Sequence, residues 1–169
     1  TKSINKIIKF FQLKNPLFIR MSAERENINI SVYKKTKLKD DLKKLIELSK
    51  NKTIIYCKTR KDTENLANKL YCVDGIIAYH AGLDFDERKR IQDNFKNGST
   101  RIIVSTIAFG MGIDISDINT IIHYGLPKDI ESYTQEIGRV ARKANTEGFC
   151  YLFWGKSDLF INKLFLKKL

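Results

Sequence analysis

Short apolar runs alternate with amphipathic segments along most of the chain. The runs are rich in isoleucine and valine, as strands are, and they lie at 28–32, 53–57, 76–79, 101–104, 120–123 and 148–153. The amphipathic segments repeat apolar residues at helical spacing, and they cover 3–13, 38–48, 61–70, 84–95, 130–138 and 157 to the end. This alternation predicts an α/β fold with a parallel sheet covered on both faces.

Local signals set several of the predicted helix ends. Asp84 and Glu87 have the spacing of a capping box at the start of the fourth helix. Asn97-Gly98 predicts the end of that helix. Asn15-Pro16 predicts the end of the first helix, and a polar stretch follows it at Ser22–Asn27.

The charge balance suggests a polyanionic partner without proving one. The 169 residues include 31 Lys and Arg against 19 Asp and Glu, so the formal net charge is 31 − 19 = +12. Clustered basic residues neutralise phosphates. However, only eight of the 31 are arginine, and isoleucine and asparagine are also abundant. A compositional bias explains the charge equally well.

The cysteines and the apolar runs exclude other classes. Cys57, Cys72 and Cys150 are widely spaced and contain no C-x-x-C pair. We therefore expect neither a disulfide framework nor a zinc site. Unpaired cysteines of this kind indicate a reducing compartment. No run approaches the ~18 apolar residues of a membrane span, so we expect a soluble protein with no membrane partner.

Functional residues in a parallel sheet lie beyond the carboxyl ends of its strands. The strand predictions place four loops there, and the helix that ends near Arg142 adds a fifth candidate region. The four loops are Lys58–Arg60, His80–Leu83, Ser105–Asp114 and Tyr124–Lys128.

Two of these regions have residues suited to phosphate. Gly110 and Gly112 follow a strand, where glycines allow a sharp turn and a close approach to phosphate, and Thr106 adds a hydroxyl donor. An ordinary strand-to-helix turn gives the same pattern. Arg139 and Arg142 are three residues apart, so on a helix both guanidinium groups would face one polyphosphate. A pair of surface arginines is the alternative.

Five motifs follow one another along the chain: Ile54–Arg60, Ala78–Leu83, Thr106–Asp114, His123–Pro127 and Gln135–Arg142. Taken in this order, they resemble the second motor domain of RecQ-type DNA helicases, the superfamily-2 motors related to the Bloom and Werner helicases. Gln135-Glu136 stands where DEAD-box RNA helicases would be expected to have His-Arg. Arg25–Ile28 also resembles the family's junction between its motor domains.

The resemblance implies a RecA-like parallel sheet sandwiched between helices. It also implies that residues 1–22 are a tail or linker from a preceding motor domain. Residues 23–155 would be the helicase C-terminal RecA-like domain, and residues 156–169 a helix leading to a downstream region.

The resemblance implies roles at two sites. At the nucleotide, Arg142 would be the arginine finger on the γ-phosphate of ATP, supported by Arg139 and Gln135, with Gly112 and Asp114 on the nucleotide side of the cleft. Six residues would contact the backbone of the tracking DNA strand: Thr59, Arg60, His80, Ala81, Gly82 and Thr106. Thr59 could instead cap a helix, and His80 could be a hydrogen-bonded residue at a strand end.

Three positions depart from the family pattern. Ala141 stands where a glycine is usual, and Lys143-Ala144 where an acidic residue and a glycine are usual. Ile115 replaces a common lysine. If the backbone at position 141 has a positive φ, alanine there costs about 1 kcal/mol.

The sequence contains neither a G-x-x-x-x-G-K-[ST] phosphate loop nor an Asp-Glu-Ala-His-like magnesium site. We therefore expect one half of a two-domain enzyme, in which an absent first RecA-like domain holds Mg²⁺ and most of the ATP contacts. No metal ligands are expected in this chain.

The expected function is ATP-dependent 3′ to 5′ unwinding of DNA, chiefly single-stranded or 3′-tailed, by an intracellular and nuclear protein. Two alternatives stay open. One is a motor-like nucleic-acid-binding module whose finger has decayed. The other is an unrelated nucleotide-binding α/β enzyme.

Overall fold

The sheet is fully parallel, as predicted. The computed structural model describes residues 2–19, 25–110, 115–143 and 146–159. Its six strands pair in the order β1-β6-β5-β2-β4-β3, and every neighbouring pair is parallel. They are β1 (Ile28–Lys34), β2 (Thr53–Tyr56), β3 (Ile76–Tyr79), β4 (Ile102–Ser105), β5 (Thr120–Tyr124) and β6 (Gly148–Trp154).

The helices also follow the predicted order. They are α1 (Lys2–Phe11), α2 (Leu38–Leu48), α3 (Arg60–Lys69), α4 (Phe85–Asn97) and α5 (Ile130–Ile137). Residues 156–159 are helical, and the rest of the predicted last helix lies outside the described residues. No helix in the described part of the chain combines the length and the apolar character needed to cross a bilayer.

The helix termini correct two local predictions. Asp84 is the residue before α4, but its side chain makes no capping hydrogen bond, so the predicted capping box is wrong. Glu87 lies instead 3.6 Å from Arg90 across one helical turn. Gly98 ends α4 at φ 90°, as predicted. The first helix ends at Phe11 rather than Leu13.

Buried strand residues alternate between the two faces of the sheet, because successive side chains of a strand point in opposite directions. One face contributes Ile54, Ile103 and Ile121 to a core that includes α4 and, from the segment between β4 and β5, Phe109, Ile115 and Ile118. The other face contributes Ile55, Val104 and Ile122 to a core with α2 and α3. Helices on both faces explain why the central strands are apolar throughout.

This topology sorts the candidate residues into two groups. The loops after β2, β3 and β4 leave the carboxyl edge of neighbouring parallel strands. The turn after α5 lies near the amino end of β5. The Ala141 N–H donates there to the carbonyl of Ile118, just before β5 begins (2.9 Å).

Candidate functional site

The carboxyl edge of the sheet brings together three of the predicted DNA contacts. Arg60 is the first residue of α3, and His80 and Gly82 follow β3. A Cβ atom placed on Gly82 would lie 3.0 Å from Arg60 Nη1 and 3.1 Å from His80 Nδ1. Ala81 and Gly82 are exposed beside them. Arg60, His80 and Gly82 are called the strand-end cluster below.

His80 supports this cluster from beneath the surface. The residue is buried, its Nδ1 accepts the N–H of Gly82 (3.2 Å), and its Nε2 lies 2.9 Å from Glu64 Oε1. Because a backbone N–H can only donate, Nδ1 carries no proton in this arrangement and Nε2 donates to Glu64. Both ring nitrogens of His80 are therefore used within the protein, as expected for a hydrogen-bonded strand-end residue.

The two candidate threonines differ in what their hydroxyl groups can still do. Thr59 Oγ1 accepts the N–H of Asp62 (3.1 Å) and donates to Asp62 Oδ2 (2.6 Å), so Thr59 caps α3. Thr106 Oγ1 accepts the N–H of Ala108 (3.4 Å). No acceptor for the Thr106 hydroxyl proton is present among the residues described, so that proton is available to a phosphate oxygen.

Arg139 lies against the loop that follows β4. Its Nη1 donates to the carbonyl of Gly110, whose φ is +114°. A Cβ at Gly110 would lie 2.6 Å from Arg139 Cζ, so only glycine allows this approach. Arg139 Nε is buried without a partner in the described structure. Arg139 is thus held inside this domain.

Arg142 has a different environment, and the predicted helical spacing of the two arginines is wrong. Helix α5 ends at Ile137, so both arginines lie in the turn beyond it. Ala141 takes φ 50° between them. The side chain of Arg142 is exposed, although both arginines line one small apolar depression that also includes Gly110 and Ile118.

The other nucleotide-side residues, Gln135, Gly112 and Asp114, stay predictions. Gln135 lies on an exposed face of α5 with Glu131 and Thr134 and lines a different depression from the arginines. Gly112 and Asp114 lie outside the described residues. Ile115 is buried in the core, which explains the apolar residue at that position.

Two buried polar groups near Arg139 were not predicted from the sequence. Tyr56 donates its hydroxyl to the carbonyl of Phe109 (3.2 Å), and burial raises the pKa of this phenol, which stays a neutral donor. His123 Nε2 lies 2.6 Å from Glu136 Oε2, and both residues are almost fully buried. The Tyr133 ring packs on His123, with the two ring centroids 5.1 Å apart.

A third unpredicted group lies at the carboxyl ends of β1, β2 and β6. The buried carboxylate of Asp158 pairs with Lys35 (3.1 Å) and Lys58 (3.5 Å) and accepts the N–H of Gly155 (2.8 Å). It anchors the helical turn at 156–159 to the loop that precedes Arg60. In the described part of the chain, no cluster of three histidine, cysteine or acidic residues could hold a metal ion.

A six-stranded parallel sheet with helices on both faces and candidate residues in its loops defines a RecA-like α/β domain. A DEAD box protein from the hyperthermophile Methanococcus jannaschii has this fold, with a TM-score of 0.69 and 25% identity over 99% of this chain and 46% of that one. Residues 36–144 match the helicase conserved C-terminal domain. The chain therefore belongs to the helicase C-terminal domain family.

Three relatives show which helicases this chain is similar to. Helicase R290 of Acanthamoeba polyphaga mimivirus, whose name describes an ATP-dependent RNA helicase, is 40% identical over 96% of this chain and 30% of that protein. ATP-dependent helicase wrn-1 of Caenorhabditis elegans is 37% identical over 90% of this chain and 15% of its own length. ATP-dependent DNA helicase RecQ of Pasteurella multocida is 35% identical over 96% of this chain and 26% of that protein.

These similarities confirm the RecQ-type resemblance and the RecA-like fold. The chain spans less than a third of each of these relatives.

Proposed function

We propose that this chain is the second motor domain of an ATP-dependent, 3′ to 5′ DNA helicase of RecQ type. In this proposal it supplies an arginine finger, Arg142, and part of a single-stranded DNA track. The observation that carries the proposal is that the loop after β4 lies next to both groups of candidate residues. Its start places Thr106 beside the strand-end loops, and Gly110 further along binds Arg139, three residues before Arg142.

The strand-end cluster is suited to the sugar-phosphate backbone. Arg60 is exposed at the first position of α3, where the helix dipole also favours an anion. Gly82 has no side chain, so a phosphate can approach the Arg60 guanidinium closely. Such contacts position a strand without reading its sequence. Thr59, Ala81 and Thr106 complete the proposed track.

The two arginines would divide their roles at the nucleotide. Arg139 is committed to Gly110 and fixes the turn, with Gln135 on the neighbouring helix face. Arg142 is exposed and can reach an adjacent domain. A guanidinium offers paired donors to the oxygens of a γ-phosphate and stabilises charge in the transition state of phosphoryl transfer.

The other half of the enzyme would be a first RecA-like domain in the same protein. We assign residues 1–22 to the tail or linker from that domain, residues 23–155 to the helicase C-terminal RecA-like domain, and residues 156–169 to a helix leading downstream. The first domain would hold Mg²⁺ and most contacts to ATP. The isolated 169-residue chain should therefore show no ATP turnover. A nuclear location stays a prediction.

The test is DNA-stimulated ATP hydrolysis by the full-length protein. Arg142→Ala should lower kcat by about 10³- to 10⁵-fold while ATP binding and the fold persist. Arg142→Lys should restore little, because an ammonium lacks the planar fork. If Arg139→Ala abolishes hydrolysis and Arg142→Ala does not, the finger is misassigned. If neither matters, the domain is a binding module.

RNA is a second candidate strand, because the name of the mimivirus relative describes an RNA helicase. The same hydrolysis assay should therefore compare single-stranded DNA with RNA of equal length. Stronger stimulation by RNA would replace DNA as the proposed track strand and would leave the role of Arg142 unchanged.

A further inference from the structure

A segment before β1 holds the turn that carries Arg142. Arg25 Nη2 donates to the carbonyls of Ala141 (2.6 Å) and Val140 (3.3 Å). Asn27 Nδ2 donates to the carbonyls of Ala141 (3.3 Å) and Thr146 (2.8 Å). These contacts join positions more than 110 residues apart in the chain.

Arg25 and Asn27 bind the backbone on both sides of the turn after α5, residues 138–143, which is called the arginine turn below. The carbonyl of Asn27 accepts the N–H of Gly148, the first residue of β6 (2.8 Å). Arg25 Nε also donates to Asn27 Oδ1 (3.2 Å), so the two side chains orient each other. The Ala141 carbonyl, directly before Arg142, receives donors from both residues.

The backbone at this point needs such support. Ala141 has φ 50°, a left-handed conformation that costs a non-glycine residue about 1–2 kcal/mol. A conformation of this kind persists only where surrounding contacts fix it. The N–H of Ala141 is held by Ile118, and its carbonyl is held by Arg25 and Asn27. The direction in which Arg142 leaves the chain depends on these bonds.

We propose that Arg25 and Asn27 are positioning residues that aim Arg142 at the nucleotide. This inference rests on the proposed function, since it assigns Arg142 a target outside this domain. Arg25 suits the task because its guanidinium reaches two adjacent carbonyls at once. Neither residue contacts ATP in this proposal, so both act on the rate of hydrolysis and not on ATP affinity.

The chain provides a matched control. Arg101 Nη1 also donates to a backbone carbonyl, that of Ser49 at the end of α2. This contact joins α2 to the start of β4. Arg101→Gln therefore removes the same kind of bond, at a place that does not carry Arg142.

The experiment measures steady-state ATP hydrolysis with single-stranded DNA for the full-length Arg25→Gln, Asn27→Asp and Arg101→Gln variants. We expect Arg25→Gln and Asn27→Asp to lower kcat by about 10- to 100-fold with KM for ATP unchanged, because small displacements of a catalytic group have effects of this size. Arg25→Lys should recover part of the rate. Arg101→Gln should keep the wild-type kcat even where its thermal unfolding temperature falls.

A second comparison separates positioning from stability. If Arg25 acts only through Arg142, Arg25→Gln should have no further effect on kcat in the Arg142→Ala background. Equal losses of kcat in both backgrounds would overturn the inference, as would a wild-type kcat in a folded Arg25→Gln variant. Wild-type hydrolysis that is insensitive to Arg142→Ala would refute the proposed function itself.

Discussion

The guanidinium group of Arg139 lies directly over the backbone of Gly110 and donates to its carbonyl oxygen. The two residues come from the turn after α5 and the loop after β4. The same loop begins with Thr106, so one loop connects the proposed DNA track to the residue that Arg139 contacts.

Gly110→Ala should break this contact. The new Cβ would lie 2.6 Å from Arg139 Cζ, and φ +114° is itself strained for alanine by about 1–3 kcal/mol. We expect a lower unfolding temperature and a large loss of DNA-stimulated hydrolysis in the full-length protein.

Gly98→Ala is the control for this variant, because Gly98 has φ +90° and no atom within 4 Å of an added Cβ. It should lose stability through backbone strain alone and keep its hydrolysis rate. Equal activity of the two variants would show that the Arg139–Gly110 contact does not matter for hydrolysis.

Ala141→Gly should be nearly neutral for stability. Glycine relieves about 1–2 kcal/mol of left-handed strain. Against this, loss of the buried methyl group destabilises the fold by about 0.8 kcal/mol, and the greater conformational entropy of the unfolded chain destabilises it by up to about 1 kcal/mol. The net change in the free energy of unfolding should stay within about 1 kcal/mol. Urea unfolding measures it.

Ala67→Gly is the comparison, since Ala67 is a buried alanine inside α3. There no strain is relieved, and we expect a loss of about 2 kcal/mol. Losses of equal size at both positions would contradict a strained backbone at Ala141.

The fold could be predicted from the sequence because the local signals agree. Each central strand is a short apolar run, and helix-forming segments separate the strands, as in β2, α3 and β3. A parallel sheet follows from that alternation. The prediction of a capping box at Asp84 was wrong, because it used only the spacing of Asp84 and Glu87. The spacing is correct, but the Asp84 side chain makes no capping hydrogen bond.

The candidate site was only partly predictable, because its contacts are long-range. Arg60, His80 and Gly82 were found because they follow strands. The bonds of Arg25 to the arginine turn leave no local pattern, and neither does the His123–Glu136 pair. The helical spacing assigned to the arginines was wrong since α5 ends at Ile137 and Ala141 turns the chain.

Only one of the three cysteines should react with iodoacetamide in the folded protein at pH 8. Burial raises the pKa of the Cys57 and Cys150 thiols to about 12, so almost no reactive thiolate is present at either position. Cys72 is exposed. Mass spectrometry should find one modified cysteine of these three in buffer and all three in urea. Rapid native labelling of Cys57 would contradict its burial.

Single-stranded DNA should bind with a salt dependence set by phosphate contacts. With about three to five phosphates neutralised, the slope of log K against log salt should be roughly −2 to −3.5. Arg60→Ala should make the slope shallower by about 0.7 without changing sequence preference, because one phosphate contact is lost. Gly82→Ala should shift the slope in the same direction, since its Cβ would displace the Arg60 guanidinium.

Arg90→Ala is the matched control, because Arg90 is exposed on α4 and pairs with Glu87 instead. Fluorescence anisotropy over a salt series measures all four proteins. A wild-type slope near zero, or an equal change for Arg60→Ala and Arg90→Ala, would exclude the strand-end cluster as the DNA track.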